Sequence, residues 1–227
     1  YSTNKYDLEN YTSNPPAVSL AGVFSTIMSN AFTDTSPNPS DPLFIHLRIK
    51  SHDATAFSTI AKTVKSGLGQ KLFSESDGSA VNVNLDTQLH TMLGKVILMV
   101  DKLSSPGYAN VSPSVSQDVD YVSLADLVNI TTNTQNVRTY QQKDLTFQPI
   151  NPPDPSVYLF RIVYPDLGFF ENPYNSDSKY LIKNYGTQVI AQAFYIRDNN
   201  LNDYEELFKR KKSAFVKIDS IFSSFYN

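Results

Sequence analysis

Polar side chains that alternate with aliphatic ones give this sequence its clearest chemical content. Residues 43–50 read Leu-Phe-Ile-His-Leu-Arg-Ile-Lys, so every second residue is aliphatic. A period of two is typical of a β-strand, whose successive side chains point to opposite faces. One face of the predicted strand therefore carries His46, Arg48 and Lys50, which are groups able to exchange protons or bind an anion.

Two later segments carry further candidate residues. Residues 95–102, Lys-Val-Ile-Leu-Met-Val-Asp-Lys, are almost wholly apolar before Asp101, as expected of a parallel strand that is covered on both faces. Residues 157–164 form another predicted strand, which contains Arg161 and Tyr164 and is closed by a proline. Side chains that end parallel strands meet at one edge of the sheet, where α/β enzymes place their active sites.

Two interpretations of these residues stand side by side. A buried charge without a partner is costly, so Arg48 needs an anionic neighbour, and Asp101 is the nearest one on this pattern. In the first interpretation the two form an internal ion pair, and main-chain oxygens satisfy Arg161. In the second, Arg48, Lys50, Arg161 and Tyr164 form a phosphate or anion site.

The three histidines, His46, His52 and His90, offer little sign of catalysis. His46 fits a neutral side chain held inside the fold better than a general base. His52 follows the strand and is a weak acid–base candidate, although a surface histidine fits its position better. No spacing of histidines and carboxylates suggests a metal site, and no glycine-rich run suggests a nucleotide site. We therefore expect neither a metal nor a cofactor.

Apolar spacing elsewhere predicts an alternation of strands and helices. Such alternation favours a parallel α/β sheet, and 227 residues allow a short (β/α)8 barrel, which needs about 200–250. The predicted helices cover residues 17–32, 55–68 and 201–211. The predicted strands cover residues 43–50, 95–102, 127–131, 157–164, 186–195 and 213–218. No internal repeat or linker divides the chain, so we expect one domain, with a loop at 1–16, the barrel at 17–218 and a tail at 219–227.

Composition narrows the range of partners. The net charge is −3, which argues against a nucleic-acid surface. The one basic run, residues 209–212, suits the solvated end of a helix, and a membrane or phosphate patch is the alternative. No apolar run has the length of a membrane span. There are no cysteines, and the compartment stays open. The chain begins at Tyr1, and we expect sequence upstream of it.

Several of these segments together resemble phosphatidylinositol-specific phospholipase C. Residues 41–51 and 94–102 look like the central strands of its barrel, and residues 161–165, Arg-Ile-Val-Tyr-Pro, resemble its Arg-Ile-Tyr-Pro stretch with one residue inserted. Residues 185–194 and 198–208 resemble its next strand and the following turn. The phospholipase-like proteins of large DNA viruses are the most similar. The resemblance implies a (β/α)8 barrel whose first strands precede Tyr1.

The resemblance also implies lost chemistry. The family cleaves phosphodiesters with two histidines, the first on a strand upstream of this chain, and Ser2 stands where the second is expected. Arg48 replaces a calcium-binding glutamate, and Met99 and Asp101 replace two substrate-binding lysines. Arg161 alone matches a phosphoinositide-contacting arginine. Arg48 would still allow phosphate to bind, as an arginine does in the family's bacterial branch.

We therefore predict a catalytically degenerate phospholipase C-like domain that acts as a structural or interaction protein. Its expected place is a virus particle, as a minor capsid component bound to other capsid proteins, with the virion or the cell interior as its location. The alternative is an active phosphoric diester hydrolase of phosphoinositides. That enzyme would use calcium and a histidine from upstream of Tyr1, with His46 or His52 as its partner. A catalytically idle module that binds lipid or phosphate is a third interpretation.

Overall fold

The computed structural model describes most of the chain as two compact units. The described residues are 18–102, 105–113, 122–134, 136–146, 153–154, 159–165, 174–194, 196–217 and 220–221. The first unit ends at Thr134, and the second begins after it. Each unit holds one three-stranded sheet. The predicted loop at 1–16 lies outside the described residues.

The first sheet contains β1 (Leu43–Leu47), β2 (Val96–Asp101) and β3 (Ile130–Thr132), in that order. Both ladders are parallel, with Leu47 beside Val100 and Asp101 beside Thr132. Every residue of β2 is buried, which agrees with its apolar sequence. The carboxyl ends of the three strands therefore meet at one edge.

Two helices cover one face of this sheet. Helix α1 (Leu20–Asn30) begins at Ser19, whose hydroxyl accepts a hydrogen bond from Gly22 N. Helix α2 (Ala54–Leu68) begins at Asp53, which caps Thr55 N. Short 3-10 helices occupy Leu89–Met92, Tyr108–Asn110 and Leu124–Asp126. The core between helices and sheet includes Phe24, Phe57, Ala61, Val64, Leu68, Val96, Leu98 and Val100, with Ile45 and Leu47 against it.

The second unit repeats the parallel arrangement. Its strands are β4 (Val137–Gln141), β5 (Phe160–Tyr164) and β6 (Val189–Ile190), in that order. Its helices are α3 (Gln142–Thr146), α4 (Ser178–Tyr185) and α5 (Asn199–Lys211). Their apolar side chains form a second core, which includes Leu145, Val163, Leu181, Ile182, Tyr185, Ile190 and Leu207.

The predicted (β/α)8 barrel is wrong. Among the described residues the strands form two separate sheets of three, and no closed barrel is present. A barrel requires every strand to be hydrogen-bonded on both sides. In the described ladders only β2 and β5 have two neighbours. The class, α/β with parallel strands, is as expected.

Other predicted elements differ in length or in kind. The helices at 17–32, 55–68 and 201–211 are present with slightly different ends. Of the strand predicted at 186–195, only Val189–Ile190 is a strand among residues 186–194, and residue 195 lies outside the described residues. Strand β4 and helix α4 were not predicted. The strand predicted at 213–218 is wrong for residues 213–217, which are irregular, and residue 218 lies outside the described residues.

Candidate functional site

The carboxyl edge of the first sheet brings two of the candidate residues together. Leu47 pairs with Val100, so the next residues along both strands, Arg48 and Asp101, are neighbours. Arg48 Nε lies 3.6 Å from Asp101 Oδ2. The Asp101 side chain is 1% exposed and that of Arg48 is 22% exposed. A buried carboxylate therefore faces a guanidinium that still reaches solvent.

Asn133 adds a second contact to Asp101. Its Nδ2 donates a hydrogen bond of 2.8 Å to Asp101 Oδ1. Asn133 follows β3 and has a φ of 60°, a left-handed conformation that asparagine tolerates better than most residues. Thr132 lies beside Asp101 in the ladder and is fully buried. Asp101 is therefore contacted from both sides, by Arg48 after β1 and by Asn133 after β3. The sequence did not mark Asn133 as a site residue. The one available signal was an asparagine just after a short predicted strand.

His46 shares the face of β1 that carries Arg48. Alternation places Ile45 and Leu47 on the helix-covered face, so His46 and Arg48 point to the opposite face. His46 Nε2 is buried and has no hydrogen-bond partner among the described residues. Burial lowers the pKa of His46 and Arg48 lowers it further, against the opposing attraction of Asp101. The imidazole is therefore neutral near pH 7, and its Nε2 is closed to solvent.

The remaining candidates of the first unit lie outside this cluster. Lys50 is exposed beyond the end of β1. His52 is exposed in the loop directly before the cap of α2, and His90 is exposed in the 3-10 helix Leu89–Met92. Among the described residues, no three His, Asp or Glu side chains are grouped in a way that would hold a metal ion.

Arg161 lies at the start of β5. It is the second residue of that strand, and its side chain is almost fully buried. Its Nη2 donates to the main-chain oxygen of Asp154, which is the kind of contact that the first interpretation predicts. Alternation puts Arg161 on the face of Val163, which packs in the second core, and Tyr164 on the other face. The structure therefore does not join Arg161 and Tyr164 into one anion site.

The buried side chains at the carboxyl edge of the second sheet are neutral. Gln142 follows β4, and its Oε1 accepts a hydrogen bond of 2.6 Å from Ser176 Oγ. Gln192 follows β6, and its Nε2 donates to Ser176 O at 3.2 Å. The adjacent Asn175 is fully buried, and its Oδ1 accepts from Ala193 N at 2.6 Å. These contacts tie the segment before α4 to the ends of both outer strands. The sequence pattern did not predict this network.

The geometry favours charge neutralisation over acid–base chemistry. A general base must reach the proton that it removes, and a second group must supply or stabilise charge. In the described part of the first unit, Nε2 of the His46 imidazole is closed to solvent, and the cation beside it faces a carboxylate at 3.6 Å. The arrangement can hold the three strand ends together.

No protein-family model matches the sequence, and no curated protein matches it. The resemblance to phosphatidylinositol-specific phospholipase C therefore stays a prediction that rests on the quoted segments alone.

Proposed function

We propose that this chain is a structural or interaction protein without phosphodiesterase activity, and that its partners are other proteins. The observation that supports this most directly is the contact between Arg48 and Asp101 at the carboxyl edge of the first sheet. The residues that position alone marks as catalytic are engaged with each other and with Asn133. These contacts stabilise the first unit. They do not supply the acid and base groups that a hydrolase needs.

Exposed aromatic residues in the second unit support the interaction part of the proposal. Tyr174 and Phe194 are 44% and 54% exposed. They lie next to Asn175 and Ala193, which are hydrogen-bonded to each other, so the two rings belong to adjoining loops. Aromatic side chains are enriched in protein interfaces relative to the rest of the surface.

A cleavage assay tests the absence of activity. The full-length protein would be incubated with phosphatidylinositol vesicles, with calcium or with a chelator, beside an active phospholipase C as positive control. We expect release of inositol phosphate at the background rate in both conditions, unchanged in His46→Ala and His52→Ala. Calcium-dependent turnover that disappears in either variant would show the alternative, an active phosphoric diester hydrolase, to be correct.

The place in a virus particle rests on the resemblance to the phospholipase-like proteins of large DNA viruses. A minor capsid component would occur at a fixed ratio to the major capsid protein. Quantitative mass spectrometry of purified particles from the source would measure this ratio. We expect it to survive a high-salt wash and further purification. A ratio that falls with every purification step would contradict this part of the proposal.

A further inference from the structure

The end of helix α5 carries a compact basic patch, which we define as Lys209, Arg210, Lys211 and Lys212. All four residues are exposed. Helix α5 is fixed to the second unit, because its residues Leu201 and Leu207 are buried and its Phe208 packs against the core of that unit. The patch is therefore presented from a helix that the fold holds in place.

Among the residues that the structure describes, one carboxylate contacts this patch. Lys209 Nζ lies 3.2 Å from Glu206 Oε1, and Arg210 Nε donates to the main-chain oxygen of Glu206. Within the described part of the chain, the side chains of Arg210, Lys211 and Lys212 form no ion pair. Three neighbouring cations thus remain directed at solvent.

Lys212 indicates that charge is favoured at the last position of the patch. It caps α5 in a left-handed conformation, with a φ of 52°, and its N–H donates to Lys209 O. Glycine is the usual residue in this conformation, because a Cβ there is strained. Cations at the C-terminal end of a helix are favoured by its dipole, and this applies to the last turn and to Lys212 at the cap alike. Lys212 thus keeps a cation at a position where glycine would be less strained.

The composition of the patch favours a lipid surface over a protein or a nucleic acid. Three of the four cations are lysines, which are depleted in protein interfaces, whereas arginine is enriched there. A nucleic acid needs a broad basic surface, but this chain has a net charge of −3. Acidic lipids move laterally and can gather beneath a small patch. Repulsion of the rest of the chain would then turn the patch toward the membrane.

We propose that the basic patch attaches this chain to the surface of an anionic membrane. The lipid phosphates and carboxylates would neutralise the three cations that form no ion pair among the described residues, without insertion of any helix. Clusters of four or more cations on a helix are typical of such attachment. The attachment adds to the function proposed above and does not depend on it.

Vesicle binding tests the attachment. The full chain would be sedimented with phosphatidylcholine vesicles that contain or lack phosphatidylserine. Each cation near such a surface contributes about 1 kcal/mol, which is about fivefold in affinity. We therefore expect the triple variant Arg210→Gln/Lys211→Gln/Lys212→Gln to bind phosphatidylserine vesicles about 100-fold more weakly. Binding should also be lost when salt shortens the screening length from about 10 Å to about 3 Å.

A matched variant separates the patch from net charge. Lys62→Gln/Lys65→Gln/Lys102→Gln removes three exposed cations of the first unit and should leave binding unchanged. Lys212→Gly provides a second check, because it should weaken binding about fivefold while raising the midpoint of thermal unfolding. Equal losses in both triple variants, no binding to phosphatidylserine vesicles, or tighter binding to duplex DNA or free inorganic phosphate would each overturn the proposal.

Discussion

The two sheets of this protein are built alike and differ in what lies at their carboxyl edges. Each has three parallel strands with a short third strand, and a side-chain amide before that strand completes the ladder. Asn129 Oδ1 accepts from Leu98 N in the first unit, and Gln188 Oε1 accepts from Arg161 N in the second. The first edge then carries the charged Arg48 and the buried Asp101, whereas the buried side chains at the second edge are neutral amides and a hydroxyl.

This difference shows that a residue's position at the carboxyl edge does not by itself establish a catalytic function. Residues at the carboxyl edge of parallel strands are natural candidates for catalysis. Here the charged edge is engaged in contacts among its own members, and the neutral edge ties a loop to its sheet. A charged cluster at this position is therefore insufficient evidence for an enzyme, and its contacts decide the interpretation.

The largest expected effect comes from removing the buried carboxylate of the charged edge. Asp101→Ala would leave Arg48 and Asn133 without this partner and should lower the free energy of unfolding by about 3 kcal/mol. Urea denaturation measures the change. The exposed Asp86→Ala serves as control and should stay within about 0.5 kcal/mol of wild type. A loss for Asp101→Ala no larger than that of the control would remove the distinction between the two edges.

The two amides that complete the ladders should differ because one is buried and the other is exposed. Asn129 is 1% exposed and also donates to Phe73 O and Val81 O. Asn129→Ala should lower the free energy of unfolding by about 2 kcal/mol, since buried backbone groups lose their partners. Gln188→Ala should cost about 0.5 kcal/mol, because water can replace the exposed amide. Equal losses in the same denaturation experiment would contradict this explanation.

The smallest effect is a pH dependence that arises from His46. Its pKa in the folded chain is lowered below the ordinary value of 6.5 by burial, so the unfolded chain binds the proton more tightly. The stability that this group contributes is complete above pH 6.5 and is lost as the pH falls toward the lowered value. The wild type should therefore lose stability relative to His46→Gln over that range. If the free energies of unfolding of wild type and His46→Gln differ by the same amount at every pH in this range, His46 is not held neutral.

The sequence predicted the parts of the fold with strong apolar periodicity. The strand at 95–102 and the helix at 55–68 agree closely with β2 and α2, because burial selects their residues. Strand β4 was missed because Val137 is its only buried residue, and its polar side chains imitate a loop. The strand predicted at 213–218 is wrong for residues 213–217, because the chain bends at residues 213 and 214 directly after the helix cap at Lys212.

The candidate site, like the fold, was predictable only in part. The neighbours Arg48 and Asp101 follow from two strands whose ends align in a parallel sheet. Asn133 could not be predicted, since its contact depends on a left-handed turn that no pattern reveals. Arg161 was placed near the end of its strand because the predicted strand began at residue 157. The described strand begins at Phe160, so Arg161 lies near its start.

A double-mutant cycle between Arg48 and Asp101 tests most directly whether the charged edge serves the fold. Arg48→Met, Asp101→Leu and the double variant would be compared with wild type by urea denaturation. We predict a coupling free energy of about 2 kcal/mol between the two sites, so that the double variant loses about 2 kcal/mol less than the sum of the two single losses. Single effects that add to within about 0.5 kcal/mol would contradict the account, because the two charges would then not stabilise each other.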